Sequence, residues 1–394
     1  MPTRRCLLSL LILAVVWTPF DTASCRAAEP DGEKDAGDAL AATLERIRAM
    51  HDVPALAAAV IVDGDLKAHA AVGVRKRGDA TAVTANDRFH IGSCTKAMTA
   101  TLVQVLVERK QLRWDITLAE VLPDLAPRMH PAYRKVTLRQ CAAHRSGMPG
   151  ANETWPKGMD FVGVHRLPGS PRAQRREYVR RILAQEPAAE PGTTFLYSNA
   201  GYAVLGAACE AVTGTPWEDL MRTHLFHPLK MDRAGFGAMG SPGRIEEPWQ
   251  HKVFDGKRTP LEPGPLIDNP PAIGPAGTVH ASIRGWAAFV KAHLDGVRGR
   301  KTPLAITQWK HLHMPPFGGT YALGWGTAER GWAGGTALTH AGSNGMNYAV
   351  VWLAPKRDFA VVVCTNTGAD AAPKACDDVA AATIRRFLVK KESP

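Results

Sequence analysis

Ser93-Cys94-Thr95-Lys96, set between Phe89-His90-Ile91-Gly92 and the apolar run 97–107, is the stretch on which the reading of this chain turns. The apolar run reads as a helix, with Ser93 in its first turn and Lys96 three residues on, on the same face. That spacing has a chemical use. A serine hydroxyl is a weak nucleophile until a neighbour takes its proton, and a buried ammonium favours the deprotonated form of that acceptor. The helix N-terminus adds positive partial charge where an oxyanion would form. A Ser-x-x-Lys also arises by coincidence, so its meaning depends on what stands elsewhere in the chain. Cys94 points about 100° away from Ser93 on such a helix and reads as core packing.

Two later stretches bear on it. The first is Pro191-Gly192-Thr193-Thr194-Phe195-Leu196-Tyr197-Ser198-Asn199, leading into Ala200-Gly201-Tyr202. A Pro-Gly turn brings Tyr197 and Asn199 to the start of a small-residue helix. Tyr197 is a candidate base for Ser93 if lysine lowers its pKa from about 10, and the Asn199 amide suits substrate or Lys96. The alternative is a buried tyrosine beside an Asx turn. The second is Thr339-His340-Ala341-Gly342-Ser343-Asn344-Gly345. Gly342 and Ser343 on a short strand edge allow backbone to approach a substrate; the alternative is a Gly-rich turn with an incidental histidine.

Taken together and in order, the three pieces resemble the motifs of the serine β-lactamase and penicillin-binding superfamily. The tyrosine version of the second motif makes the chain similar to the class C β-lactamase-related serine hydrolases, a branch that includes esterases and D-amino-acid peptidases. The resemblance spans about residues 40–388 and extends to His144-Arg145-Ser146-Gly147-Met148-Pro149 and Pro275-Ala276-Gly277-Thr278. It implies an acylated nucleophile at Ser93, an electrostatic partner at Lys96 and a general base at Tyr197. Asn199, His340, Gly342 and Ser343 would bind substrate, with the oxyanion held by the N–H groups of Ser93 and Ser343. One position departs from the pattern: His340 stands where β-lactamases of this branch usually carry lysine. A histidine is mostly uncharged at neutral pH. That weakens any grip on a substrate carboxylate and favours esterase or peptidase chemistry over β-lactam hydrolysis. A D-Ala-D-Ala carboxypeptidase, a true β-lactamase and an inactive penicillin-recognising binding protein are the other readings.

The 394 residues carry a net charge of +11, with 45% hydrophobic and 22% charged residues, as in ordinary globular proteins. Arg4 and Arg5 precede an apolar run, 6–17, and the small-residue stretch Ala23-Ser24-Cys25-Arg26-Ala27. Residues 1–27 read as a signal peptide, which implies a secreted or periplasmic protein. Its twelve apolar residues are too few for a membrane span. Residues 28–37 read as a linker, with polar 29–35 loose. No nucleic-acid motif accompanies the basic cluster of Arg172, Arg175, Arg176, Arg180 and Arg181, which reads as solvated helix faces. Five cysteines remain beyond residue 27, irregularly spaced, so neither a disulfide framework nor a zinc site is indicated. No cofactor or metal is called for; the partner is a small-molecule or peptide substrate, cell-wall fragments included.

The expected fold class is α+β. An antiparallel β-sheet flanked by helices carries an inserted, mostly helical lobe, as in the β-lactamase/transpeptidase-like fold. Alternation predicts strands over 55–62 and 66–74, turning at Asp63-Gly64-Asp65, and over 346–352 and 359–364. Helices are predicted over 39–50 and 375–388. The hydrolase domain spans 38–390, with its α/β lobe at about 38–92 and 270–390 and the helical lobe at about 93–269. The site is expected where the lobes meet, with specificity loops at 155–171 and 244–271.

Overall fold

The computed structural model describes residues 31–150, 153–368 and 371–389; the expected signal peptide lies outside them. In chain order its strands are β1 (Ala55–Val62), β2 (Asp65–Gly73), β3 (Arg88–His90), β4 (Gly235–Phe236), β5 (Gln250–Phe254), β6 (Lys257–Leu261), β7 (Val279–Ser282), β8 (Gly326–Arg330), β9 (Gly335–Ser343), β10 (Tyr348–Ala354) and β11 (Phe359–Thr365). Six of them form one sheet in the order β2-β1-β11-β10-β9-β8, and every paired neighbour is antiparallel.

The central strands are apolar at nearly every position because both faces of the sheet are covered. Along β1, Leu56, Ala58, Val60 and Val62 pack with helix α1 (Asp31–Met50) and the C-terminal helix Ala371–Ile384. The alternate residues Ala55, Ala57, Ala59 and Ile61 enter the larger core on the opposite face, which also contains helix α2 (Thr95–Glu108) and the buried side of helix Ile283–Val297. Side chains alternate along a strand, so a register shift of one residue would exchange the two sets. The pairing Ala59↔Val362 and Val60↔Val361 keeps them aligned with β11.

Four expectations are corrected. Helix α1 starts at Asp31, so most of the stretch read as a loose linker is helical. The C-terminal helix runs Ala371–Ile384 and widens over Arg385–Val389, four residues ahead of expectation at its start. Strands β8 and β9 extend the sheet where the sequence suggests at most a short edge; glycine and threonine in Gly334-Gly335-Thr336 and Gly342 hide the alternation. The second lobe is less purely helical than expected. It carries the β5–β6 hairpin inside the stretch read as irregular, and β4, which joins β3 and β7 in a three-stranded sheet. Among the described residues, no helix is long and apolar enough to cross a membrane.

Candidate active site

The chain turns at Gly92 with φ +50°, a left-handed conformation that favours glycine. A 3₁₀ turn, Gly92–Cys94, then runs straight into α2. Strand β9 crosses this turn at very short range. A Cβ on Gly92 would lie 2.3 Å from Ser343 N, and one on Gly342 would lie 2.6 Å from Ser93 N. Two glycines therefore meet, and the approach that Gly342 permits is toward the Ser93 turn. Cys94 is buried under the same strand, its Sγ 3.5 Å from the His340 carbonyl oxygen, and burial pushes its thiol pKa up. That is the packing role expected of it.

Lys96 has no exposed surface. Its Nζ lies 3.0 Å from Ser93 Oγ, 2.8 Å from Asn199 Oδ1 and 2.7 Å from the carbonyl oxygen of Ala276. Burial pushes its pKa down to about 7, because removing an ammonium from water disfavours the charged form. The geometry accommodates the neutral amine. Two carbonyl oxygens, which can only accept, take its two protons, and the lone pair faces Ser93 Oγ. Asn199 is oriented for this by its own Nδ2, which donates to Thr154 Oγ1 at 3.3 Å. Ala276, quoted in the sequence only as part of a supporting segment, supplies the remaining oxygen from a short turn that Thr99 Oγ1 ties to α2 by a 2.7 Å bond to Pro275 O.

Tyr197 is hydrogen-bonded to Ser93, and Lys96 Nζ stands 4.8 Å from its ring centre. Burial raises its pKa, and the Ser93 bond offsets only part of the rise. This reverses the expected direction, in which lysine lowers the tyrosine. The resting pair is a protonated Tyr197 and a Lys96 that readily gives up its proton. The Tyr197 loop is fixed by helix Asn199–Thr213, whose cap is Ser198 rather than an Asx turn: Ser198 Oγ accepts from Gly201 N at 3.3 Å and donates to Pro149 O at 2.6 Å. His144 Nδ1 accepts the Ser198 N–H at 3.0 Å, and the His144 ring lies 4.3 Å from that of Tyr197.

His340 is on β9 but does not present a charge. It is 7% exposed. Tyr321 Oη lies 2.9 Å from its Nε2, and burial, with Lys96 nearby, pushes its pKa down to about 3. The sequence has this histidine mostly uncharged at neutral pH, and burial removes the charge that an ordinary imidazole would gain in mild acid. Tyr321 had no motif to flag it. It lines a cavity of about 210 Å³ with Arg145, Phe195, Phe317 and the backbone of Gly318-Gly319. Arg145 Nη1 donates to Thr193 O at 2.7 Å. None of the seven predicted site residues lines this cavity, which adjoins them through Tyr321 and its contact with His340; a larger one, about 430 Å³ lined by Leu66, Arg233 and Lys291, contains none of them either. Ser343 is exposed, and its hydroxyl closes the β9–β10 turn by donating to Asn347 O at 2.7 Å and accepting from Gly345 N at 2.9 Å.

Elsewhere the chemistry is structural. Arg175 is buried and paired with Glu218 at 2.7 Å and Glu210 at 3.2 Å, and Arg180 and Arg181 both pair with Glu177. The basic cluster is thus largely ion-paired. Cys94, Cys141, Cys209, Cys364 and Cys376 are buried free thiols. Among the described residues, no group of three or more His, Cys, Asp or Glu is placed to hold a metal ion.

Comparison with known proteins gives the family and the fold. The family model described as Beta-lactamase matches residues 40–384. Penicillin-binding protein 4 of Amycolatopsis lactamdurans is 32% identical over 338 residues, covering 82% of this chain and 84% of that protein. The Unguisins hydrolase ungD' of Aspergillus campestris is 27% identical over 73% of this chain, which spans only 54% of its length. The structure of a D-stereospecific amidohydrolase from Streptomyces sp. superposes with a TM-score of 0.65 at 22% identity, covering 87% of this chain and 97% of that one. At that identity the likeness is one of fold.

Proposed function

We propose, for a chain that belongs to the Beta-lactamase family and is a serine hydrolase, that it cleaves an amide or ester bond of a small acyl compound through an acyl-enzyme on Ser93. One observation carries the reading: the buried amine of Lys96 is 3.0 Å from Ser93 Oγ with its two other partners both acceptors. In this mechanism the Ser93 proton passes to Lys96 Nζ as Oγ bonds to the substrate carbonyl carbon. The oxyanion is held by the N–H groups of Ser93 and Ser343. Tyr197, protonated at rest, gives its proton to the leaving amine or alkoxide as the carbon–heteroatom bond breaks, and regains one from Lys96. Water then attacks the ester, its proton passing to the neutral Lys96 amine, and Ser93 takes a proton back as the acid leaves.

The substrate reading follows the site. A neutral His340 leaves no permanent cation on β9 for a carboxylate, which disfavours efficient β-lactam hydrolysis. The cavity between Phe195, Phe317 and Tyr321 suits an apolar or aromatic group, and Arg145 at its wall suits a carboxylate attached to it. Amides of small peptides fit this chemistry. The name of the Aspergillus relative supports a hydrolytic reaction. Export after removal of residues 1–27 belongs to the same proposal and rests on the N-terminal pattern alone. That cleavage removes three arginines and one aspartate and leaves a net charge of +9; Edman sequencing of exported protein beginning near Ala28 would support it.

The test is fluorophosphonate labelling of wild type and Ser93→Ala, followed by a screen of p-nitrophenyl esters, nitrocefin and D-amino-acid p-nitroanilides. The expected result is labelling lost with Ser93 and turnover of esters or anilides far above that of nitrocefin. Labelling that survives in Ser93→Ala by intact mass would put the nucleophile elsewhere.

A further inference from the structure

We propose that Asp268 is a positioning residue that holds both arms of the oxyanion-binding turn, one through His90 and the other through Asn344. The proposal rests on the reading of Ser93 as nucleophile. Asp268 follows the β5–β6 hairpin, far in sequence from either arm, and is 2% exposed.

The first arm runs through β3. His90 is fully buried, and its Nε2 lies 2.9 Å from Asp268 Oδ1 and 3.0 Å from Oδ2. Its Nδ1 accepts the Gly92 N–H at 3.1 Å. An accepting Nδ1 carries no proton, so Nε2 carries it and donates to the carboxylate. The carboxylate thereby fixes the tautomer that holds Gly92 in its left-handed turn, one residue before Ser93. The second arm runs through the β9–β10 turn. Asn344 Nδ2 donates to Asp268 Oδ1 at 3.0 Å and to Gln250 Oε1 at 2.7 Å, and Asn344 directly follows Ser343. The amide cannot turn over, because its Oδ1 accepts from Met346 N and Asn347 Nδ2, each at 3.1 Å.

The arms meet where Gly92 packs on Gly342 and Ser343. The Ser93 and Ser343 N–H groups are adjacent to that contact, so their separation is set by how the two backbones are pulled together. Asp268 is itself well anchored: its carbonyl oxygen lies 3.0 Å from His165 Nε2, and Asn269 Nδ2 donates to Gly277 O at 2.8 Å. A buried carboxylate is costly to place, and one acceptor group serving donors from two separate segments is a specific arrangement. Hydrogen-bond donors to an oxyanion act through their fixed geometry, so loosening this link should affect the transition state more than the bound substrate.

The discriminating variant is Asp268→Asn. With its oxygen at the Oδ1 place, asparagine still accepts from Asn344 but sets an amide N–H against the His90 Nε2–H; turned over, it sets that N–H against both donors. With p-nitrophenyl acetate, kcat is expected to fall roughly 10²-fold, with KM within about twofold of wild type. Affinity for phenylboronic acid, a tetrahedral mimic once bonded to Ser93, should fall in parallel. If Asp268→Asn does not fold, Asn344→Ala cuts one arm from the half-exposed side and should lower kcat about tenfold with KM held. A kcat within threefold of wild type in whichever variant folds, or a loss borne by KM alone, would overturn the proposal. Failure of the underlying reading is seen separately, as wild-type protein that no fluorophosphonate labels at Ser93.

Discussion

The Tyr321 hydroxyl lies 2.9 Å from His340 Nε2, and His340 Nδ1 lies 2.6 Å from the Ala341 carbonyl oxygen. A carbonyl only accepts, so the ring proton is on Nδ1 and Tyr321 donates to Nε2. Both ring nitrogens are engaged in the neutral form, and burial pushes the pKa down to about 3. An ordinary imidazole would gain charge as pH falls through about 6.5, whereas this one stays neutral there.

Matched ester substrates with and without a carboxylate should therefore keep a constant ratio of kcat/KM from about pH 5.5 to 8 in the wild type. His340→Lys, which puts an amine in a buried position near Lys96, should lower stability and rate without improving KM for the anionic ester. A ratio that climbs as pH falls through 6.5 would show that His340 does titrate beside the substrate.

Lys96 sets the acid side of the pH profile. Its pKa is pushed down to about 7 by burial, and only the neutral amine can take the Ser93 proton. As pH falls through about 7 the amine becomes protonated, so kcat/KM for a neutral ester should drop, approaching tenfold per pH unit well below that value. Lys96→Arg should lose at least about 10³-fold, since guanidinium does not deprotonate. A flat profile between pH 5.5 and 8 would remove Lys96 as the proton acceptor.

Tyr197→Phe keeps the ring over Lys96 and removes the hydroxyl that bonds Ser93. Turnover should fall on the order of 10²-fold or more, with fluorophosphonate labelling slowed less, because labelling needs activation of Ser93 but a better leaving group needs no acid. Equal losses in the two assays would indicate that Tyr197 itself activates Ser93.

Arg145→Ala should raise KM for a D-amino-acid anilide bearing a free carboxylate while leaving p-nitrophenyl acetate within about twofold, since the small ester does not reach the cavity wall. Steady-state kinetics on the two substrates checks this; parallel changes would mean that Arg145 acts only through its bond to Thr193.

Acid should unfold this protein readily. His144, His251, His280, His293, His313 and His340 are all buried with pKa values below the usual 6.5, chiefly through desolvation, and those of His251 and His280 are near 4. Between about pH 6.5 and 4 the unfolded chain binds protons that the folded chain refuses. Stability is then full above 6.5 and is lost as pH falls, by about 1.4 kcal/mol per pH unit for each such histidine. Urea melts at pH 7.5, 6 and 5 should show this slope; unchanged midpoints would mean that the imidazoles are compensated on protonation.

The fold was legible wherever a strand is buried on one or both faces. The β1 run 55–62 and the β11 run at 359 read directly, because alternating or continuous apolar residues leave few other solutions. The same logic failed at β8 and β9, where glycines and threonines serve close backbone approach rather than core burial. It failed too at residues 31–38, where a polar composition concealed the start of a helix that buries Leu40, Leu44 and Ile47 further on.

The sequence by itself determined the sheet's central strands, the order of the three motifs and the helix that places Lys96 one turn beyond Ser93, since all of these follow from local spacing. Only the tertiary structure decided the electrostatics. Whether Lys96 is charged depends on burial among groups contributed by Asn199 and Ala276, and whether His340 is charged depends on Tyr321. The link from Asp268 to His90 and Asn344 joins residues 178 and 76 positions apart. Desolvation and such long-range hydrogen bonds depend on the whole packed fold, and no local window of sequence contains them.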